Sequence, residues 1–245
     1  MSVLKTSELT VGYASEKPLI KDIDFELKSG MMVGLVGQNG VGKSTLIRTL
    51  CGFLPPLSGE IHLNDRPIQN LSVREQAKSL SVVLTGRPET LNLSVVELIA
   101  LGRHPHSGWL GILNEKDKEV IEKSLTMIEI NYLAQKKLYE LSDGQLQKVM
   151  IARALAQNTD LIILDEPTSH LDLKNKIEVL TLLQKISQTK GVLISTHEIQ
   201  LSATVCSEFV CVDFNKPMVG GNPSELIKQG VIHDYLHISE NFNLK

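Results

Sequence analysis

The stretch that decides the fold is GQNGVGKS, Gly37–Ser44, which directly follows the apolar run MMVGLVG, Met31–Gly37. It matches the pattern G-x-x-x-x-G-K-[ST], whose glycines let the backbone curl until successive N–H groups point at phosphate oxygens. Lys43 can then reach the β- and γ-phosphates of a nucleotide, and the Ser44 hydroxyl can bind Mg²⁺. A buried strand before this loop and a helix after it therefore predict a nucleotide-binding cradle.

A second apolar run narrows the chemistry. LIILD, Leu161–Asp165, reads as a strand buried on both faces, and Glu166 follows it directly. Because open α/β sheets bind ligands at the carboxyl ends of their strands, we expect both carboxylates to lie near the phosphates. Asp165 can hold Mg²⁺ through water, and Glu166 is placed to polarise an attacking water. The pair therefore predicts hydrolysis of the bound nucleotide.

The remaining apolar patterns predict how the chain is organised around this site. Asp22–Lys28 and Glu60–Asn64 alternate as half-buried antiparallel strands do, whereas Val192–Thr196 and Phe209–Asp213 are continuous runs typical of a parallel sheet. The intervening region, 95–157, has helical character. We therefore predict an α/β fold with crossover helices, an antiparallel N-terminal part and a helical insertion.

Three residues can begin helices in this scheme. Asn114 precedes an acidic first turn, Ser142 stands three residues before a glutamine, and Asp172 precedes a long apolar pattern. In the helix after Asp172 we expect one buried side, formed by Ile177, Leu180, Leu183 and Ile186.

Composition excludes several classes of protein. The 245 residues allow one large domain or two subdomains. A net charge of −3 and an aromatic content of 4% provide no general basic field and no base-stacking platform for nucleic acid. No apolar run approaches the ~18 residues of a membrane span, and Met1–Lys5 lacks an apolar signal core. The 3 cysteines lack C-x-x-C spacing, which favours buried thiols in a cytosolic protein.

Several further motifs resemble those of the ATP-binding cassette (ABC) family, and they occur along the chain in the same order as in that family. LSDGQ at Leu141–Gln145 resembles the signature LSGGQ, and LDEPTSHLD at Leu164–Asp172 resembles the Walker B and D-loop stretch. His197 in STHE is similar to the switch histidine, and Tyr13 in LTVGY to the aromatic residue that stacks on adenine. The resemblance covers about residues 2–225.

This resemblance implies a P-loop NTPase (RecA-like) core at 1–88 and 160–245, which includes an antiparallel β subdomain, and an inserted α-helical subdomain at 89–159. It implies ATP and Mg²⁺ as ligands and Glu166, His197 and Lys43 as catalytic residues. Two copies would align head to tail, so that ATP on one copy meets LSDGQ of the other. The residues implied in holding ATP are Tyr13, Gly37, Asn39, Gly40, Gly42, Lys43, Ser44, Thr45, Ser142, Gly144, Gln145 and Asp172.

Two positions depart from the family pattern. Asp143 replaces the second glycine of the signature, and we expect its carboxylate to face outward and cap the helix locally, because it would otherwise repel phosphates. Thr85 in SVVLTGRPE, Ser81–Glu89, stands where the family has a glutamine that touches Mg²⁺. The Thr85 hydroxyl is predicted to contact Mg²⁺ together with Ser44 and Asp165.

The segment ELIALGRHPHSGWLG, Glu97–Gly111, resembles the helical subdomain of import ATPases that serve iron-siderophore, haem and cobalamin uptake. The histidines His104 and His106 suggest a metal site, but a proline-broken loop without a third ligand argues against one. Trp109 is expected to pack or to contact a partner.

The resemblance therefore implies an ATPase subunit of an importer, peripheral on the cytoplasmic face of the cell membrane. Its partners would be a second copy of itself, separate permease subunits with a contact surface near Thr85–His106, and indirectly a substrate-binding protein. An exporter ATPase is the closest alternative, followed by a soluble ABC protein that acts on ribosomes or DNA. A GTPase is disfavoured because Asn175–Glu178 fails the N-K-x-D pattern at its last position.

Overall fold

The computed structural model describes residues 3–14, 17–86, 88, 92–108 and 111–237. Two sheets and a set of helices make up this part of the chain. The strands are β1 (Val3–Val11), β2 (Ile20–Ile23), β3 (Glu26–Lys28), β4 (Met32–Val36), β5 (Ser58–Leu63), β6 (Arg66–Pro67), β7 (Leu80–Val83), β8 (Leu161–Leu164), β9 (Gly191–Ser195), β10 (Glu208–Cys211) and β11 (Val219–Gly221). The helices are α1 (Lys43–Leu50), α2 (Val73–Ser79), α3 (Val95–Leu101), α4 (Glu115–Met127), α5 (Asp143–Ala156), α6 (Leu173–Ser187), α7 (Ile199–Ala203), α8 (Pro223–Lys228) and α9 (Val231–Leu236).

The central sheet carries the strands predicted to be buried on both faces. Its order is β11-β10-β4-β9-β8-β7, and all neighbours are parallel except β11, which pairs antiparallel with β10. Every residue of β4, β8 and β9 is buried, which explains why these strands are continuous apolar runs. The predicted α/β class is therefore confirmed.

The N-terminal sheet is antiparallel and differs from the prediction in one place. Asp22–Lys28 was expected to form one strand, but β2 and β3 pair separately with β1. The break occurs because Thr6 takes over the hydrogen bonding there: its hydroxyl donates to Ile23 O at 2.7 Å and accepts from Phe25 N at 2.9 Å. A side chain thus replaces part of the backbone ladder.

The helices α3, α4 and α5 lie between β7 and β8 in the chain and share a core with one face of the central sheet. The opposite face packs with the N-terminal sheet and α1 in a second core. Asn114 caps α4 and Ser142 caps α5, each in a reciprocal capping box, as predicted. The division into 1–88 with 160–245 and 89–159 stays a prediction, and residue 89 lies outside the described residues.

The buried side of α6 is shifted from the predicted one. Asp172 caps the helix as expected, and Leu180, Leu183 and Ile186 are buried. Ile177 was expected beside them, but 47% of it is exposed. Val179 lies within the buried arc, and Ile177 lies just outside it because each residue turns the helix by about 100°.

A buried ion pair joins the turn that follows α3 to α4, and a hydrogen bond from the same arginine reaches α5. Arg103 Nε donates to Asp117 Oδ1 at 2.9 Å, and its Nη1 donates to Ala156 O at 2.7 Å. The exposed fractions of the two side chains are 8% and 2%. The pKa of Asp117 is lowered, chiefly by the backbone N–H of Asn114 and then by Arg103, against the opposing effect of burial.

In the described part of the chain, no helix has the length and apolar character needed to cross a bilayer.

We expect Arg103→Met to lower the free energy of unfolding by about 3–5 kcal/mol, because it leaves the buried Asp117 carboxylate without its cation. The matched control is Lys118→Met, which removes an exposed partner of Glu115 and should cost less than about 1 kcal/mol. Since the pKa of Asp117 is lowered by folding, its stabilisation is present above its ordinary value of 3.8 and is lost as the pH falls further. Equal urea midpoints for both variants would contradict this role.

Candidate functional site

The predicted site residues follow neighbouring strands at one edge of the central sheet. The phosphate loop, Gly37–Ser44, follows β4, His197 follows β9, Asp165 and Glu166 follow β8, and Thr85 follows β7. Since β4, β9, β8 and β7 are adjacent and parallel, their carboxyl ends meet at the same edge. The sheet order places the histidine segment between the phosphate loop and the acidic pair, which the sequence alone did not reveal.

The phosphate loop requires its glycines for two different reasons. Gly40 and Gly42 have φ values of 83° and 110°, a region that other residues rarely adopt. Gly37 has no room for a side chain, because a Cβ there would lie 2.6 Å from Val212 O. Asn39 is exposed at the outer side of the loop. These conditions leave a cradle of backbone groups immediately before α1.

Lys43 lies folded across this cradle. Its Nζ donates to Gly37 O at 2.8 Å and to Gln38 O at 3.1 Å. Burial lowers the pKa of Lys43, and the charges of Glu166 and Asp165 oppose that effect. The ammonium is therefore held at the cradle within the field of both carboxylates. Next to it on α1, Ser44 is exposed.

The acidic pair is held by a residue that the sequence reasoning missed. Ser195, the last residue of β9, donates its hydroxyl proton to Asp165 Oδ1 at 2.7 Å and accepts the backbone N–H of Glu166 at 2.8 Å. The signal for it was the polar residue that ends an otherwise apolar run. Ser195 fixes the backbone of Glu166, whose φ of 49° is unusual for a residue with a side chain.

Glu166 and His197 contact each other directly. His197 Nε2 lies 2.6 Å from Glu166 Oε1, and the two side chains are 34% and 29% exposed. An ionised carboxylate oxygen only accepts, so the contact is a hydrogen bond in the tautomer that carries its proton on Nε2. The arrangement orients a carboxylate toward solvent at the edge that also holds Lys43.

Thr85 lies against the acidic pair from the other side. Its hydroxyl donates to Asp165 O at 2.9 Å, while Asp165 N donates to Val83 O at 2.8 Å. The backbone of Asp165 is thus clamped by β7 and the residues that follow it. Contact between Thr85 and Mg²⁺ stays a prediction.

The signature segment begins α5 and packs against α6. Ser142 Oγ accepts from Gln145 N at 3.3 Å, and Ser142 N donates to Gln145 Oε1 at 3.1 Å. A Cβ on Gly144 would lie 2.5 Å from Asn175 Oδ1, so the missing side chain allows the two helices to approach. The pKa of Asp172 is lowered by the backbone N–H of Asn175, which it caps.

Asp143 is exposed, and the N-cap of α5 is its neighbour Ser142. Asp143 is the acidic residue of the first turn, where the helix dipole favours a negative charge, and a local cap by its carboxylate stays a prediction. It lines an open cavity of about 320 Å³ together with Thr85, Asp165 and Glu166. Its carboxylate therefore shares solvent with the acidic pair.

Leu19, which directly precedes β2, lies beside the phosphate loop. Leu19 N donates to Val11 O at 2.8 Å. A Cβ on Gly42 would lie 3.1 Å from the Cβ of Leu19. Tyr13, two residues after the end of β1, is 41% exposed. Thr45 is buried in α1 below the loop.

The structure thus brings together the phosphate loop, Asp165, Glu166, His197 and Thr85. Within the described ranges, no hydrogen bond joins Ser142 or Gln145 to the phosphate loop. In the loop that carries His104 and His106, His106 Nε2 lies 2.8 Å from Gln157 O, a contact that holds the ring against the end of α5. Trp109 lies outside the described residues.

This fold and site define a P-loop nucleotide-binding protein, and comparison with known proteins gives its family. The model of the ABC transporter family matches residues 20–169. An uncharacterized ABC transporter ATP-binding protein of Methanocaldococcus jannaschii is 37% identical over 95% of this chain and 80% of its own length. The chain belongs to the ABC transporter family. It is an ATPase that uses ATP with Mg²⁺.

Two further comparisons have more specific descriptions. The iron(3+)-hydroxamate import ATP-binding protein FhuC of Bacillus subtilis is 32% identical over 94% of this chain and 82% of its own length. Among solved structures, the chain is similar to one from an ABC transporter assigned to the metal-chelate type, which was solved in an inward-facing conformation. The two chains are 27% identical, and the match covers 97% of this chain and 90% of the other, with a TM-score of 0.84.

We expect Asp143→Gly to leave the rate of ATP hydrolysis within about threefold of the parent, because an exposed charge contributes little across solvent. The measurement is steady-state phosphate release at saturating ATP. A gain of tenfold or more would mean that the carboxylate repels phosphates. Asp143→Asn is the matched control, since it removes the charge and keeps the side chain.

Proposed function

We propose that this chain is the ATP-hydrolysing subunit of an importer for an iron chelate, working as a pair of copies with separate membrane permease subunits. The hydrolytic part rests on the convergence of Lys43, Asp165, Glu166 and His197 at one sheet edge. The import part is supported by similarity to the iron(3+)-hydroxamate import protein and to the metal-chelate type transporter chain.

The phosphates of ATP would occupy the phosphate loop. Backbone N–H groups of the loop and the start of α1 would donate to them, and Lys43 would exchange its carbonyl partners for phosphate oxygens. The exposed ring of Tyr13 would stack on the base. The remaining groups proposed to hold the nucleotide on its own copy are Gly37, Asn39, Gly40, Gly42, Ser44 and Thr45.

The donor set beside the loop suits Mg²⁺, which prefers hard oxygen ligands. Ser44 offers an exposed hydroxyl and Asp165 a carboxylate held by Ser195. Thr85 donates its proton to Asp165 O, which leaves its oxygen free to accept or to ligate. When bound there, Mg²⁺ would supply positive charge beside the phosphates.

Glu166 is the proposed general base or orienting group for the attacking water. The residue is held at two places: Ser195 accepts its backbone N–H, and His197 contacts its carboxylate. His197 would hold this orientation and contact the γ-phosphate, and Lys43 would neutralise charge that develops on it. The water thus loses its proton toward Glu166 as it attacks.

The second half of each site would come from the partner copy. Ser142 is exposed at the start of α5, and its oxygen accepts from Gln145, which leaves its hydroxyl proton free to donate to a phosphate. Gly144 would add a backbone N–H, and Gln145 and Asp172 would line the seam. Head-to-tail pairing would bring these groups to the partner's phosphate loop.

A mixing experiment tests this pairing. Ser142→Ala should lower ATP hydrolysis at least tenfold, and Lys43→Ala should nearly abolish it. In a mixture of equal amounts, each mixed dimer would contain one intact site. Since half of the dimers are mixed, hydrolysis should recover to about a quarter of the parent rate.

The control is each variant mixed with itself at the same total concentration. A mixture that merely averages the two variants would contradict the shared site and favour copies that work alone.

The proposed surface for the permease lies near Thr85–His106, and its use would place the chain peripherally on the cytoplasmic face of the membrane. In this region Leu101 is 55% exposed. Arg74 fixes the neighbouring loop, because it donates to Pro105 O at 2.9 Å and Ser107 O at 2.7 Å. A rigid loop beside an exposed apolar residue suits a contact that transmits motion.

Co-reconstitution with the partner permease and its binding protein tests the cargo. We expect a ferric hydroxamate to stimulate ATP hydrolysis severalfold, because import couples loading to turnover. Haem and cobalamin are the comparison cargoes, and the iron-free chelator is the control. Stimulation by haem or cobalamin instead would overturn the iron-chelate assignment.

A further inference from the structure

An ion pair outside the catalytic dyad joins α6 to the segment that carries His197. Lys176 lies in the first turn of α6, and its ammonium binds Oε1 of Glu198. The two side chains keep only 22% and 34% exposure, whereas Lys174, which pairs with Glu178 on the same helix, is 85% exposed. Because solvent screens it less, the Lys176–Glu198 pair should restrain its elements more than an ordinary surface pair does.

Glu198 belongs to a short segment with little freedom. Its backbone N–H donates to Thr196 Oγ1 at 3.0 Å, and Thr196 Oγ1 lies 2.9 Å from Ser202 Oγ. His197 stands between these two anchored residues and reaches Glu166 at 2.6 Å. A displacement of Glu198 would therefore move the imidazole relative to the carboxylate.

The other end of the pair is tied to the signature segment. Lys176 N donates to Asp172 O at 2.9 Å. Asn175, its neighbour, donates from its backbone and from Nδ2 to the Asp172 carboxylate at 2.8 and 2.9 Å. Gly144 touches Asn175 so closely that a Cβ would lie 2.5 Å from Oδ1. The first turn of α6 thus forms a packed unit with the start of α5.

We propose that Lys176 and Glu198 are positioning residues, which carry the position of the signature segment to the His197–Glu166 dyad of the same copy. The route runs from Gly144 to Asn175 by packing, along the chain to Lys176, across the ion pair to Glu198, and along the chain to His197. The inference rests on the proposed head-to-tail dimer, in which this chain's signature segment meets the partner's ATP. Each dyad would then respond to the nucleotide on the other phosphate loop.

The variants are Lys176→Met and Glu198→Gln, each of which removes one charge while keeping the side chain's length. Each should lower kcat about tenfold, with KM for ATP changed less than about twofold, because neither residue lies in the phosphate loop. The Hill coefficient for ATP should fall from above 1 toward 1. The double variant should be no worse than the more affected single variant, because each single variant already breaks the same pair of opposite charges.

Lys174→Met is the matched control, with the same chemical change on the same helix turn, and it should keep kcat, KM and the Hill coefficient of the parent. The two test variants also distinguish a positioning role from a direct electrostatic effect on His197. A purely electrostatic effect on His197 would have opposite signs, because one variant removes a positive and the other a negative charge. A positioning role requires loss in both.

Urea unfolding and dimerisation with a nonhydrolysable ATP analogue, followed by light scattering, complete the design. Parent-like kcat and Hill coefficients in Lys176→Met and Glu198→Gln, opposite changes in the two, or additive losses in the double variant would each overturn the positioning role. A parent protein that hydrolyses ATP but does not dimerise with the analogue would overturn the dimer itself. That result is distinguishable, because it appears without any substitution.

Discussion

The register of the parallel strands β4, β9 and β8 is the constraint on which the site depends. Leu35 pairs with Ser195, and Leu164 pairs with Ile194, so the strand ends lie level with one another. Phosphate loop, histidine segment and acidic pair leave the sheet at this common edge. Because all three strands are buried on both faces, a slip in register would disrupt both cores. The distances between these groups are therefore set by packing.

Hydrogen bonds at this edge offset local backbone strain. Glu166 has a φ of 49°, which costs about 1 kcal/mol or more for a residue with a side chain. Its N–H binds Ser195, and its carbonyl accepts the Ser169 hydroxyl at 3.0 Å. These bonds hold the carboxylate where His197 can reach it. A relaxed backbone would give no such fixed direction to the side chain.

The start of α5 combines a structural and a chemical use of the same residues. Ser142 and Gln145 satisfy the helix end by a reciprocal cap, yet the exposed hydroxyl keeps a proton to donate. Gly144 lets α6 approach, so the signature segment packs against the first turn of that helix. A substitution at Ser142 would therefore remove both a helix cap and an exposed hydrogen-bond donor.

The sequence by itself determined the phosphate loop, the acidic pair, the helix caps at Asn114, Ser142 and Asp172, and the parallel character of the sheet, because these depend on local patterns. Tertiary structure decided the rest. The hydroxyl of Thr6 split a predicted strand, and the packing of α6 left Ile177 exposed. The order of the strands placed the Ser195 hydroxyl where it binds both the Asp165 carboxylate and the backbone N–H of Glu166. Such contacts join residues far apart in the chain, and no local pattern encodes which strand lies next to which.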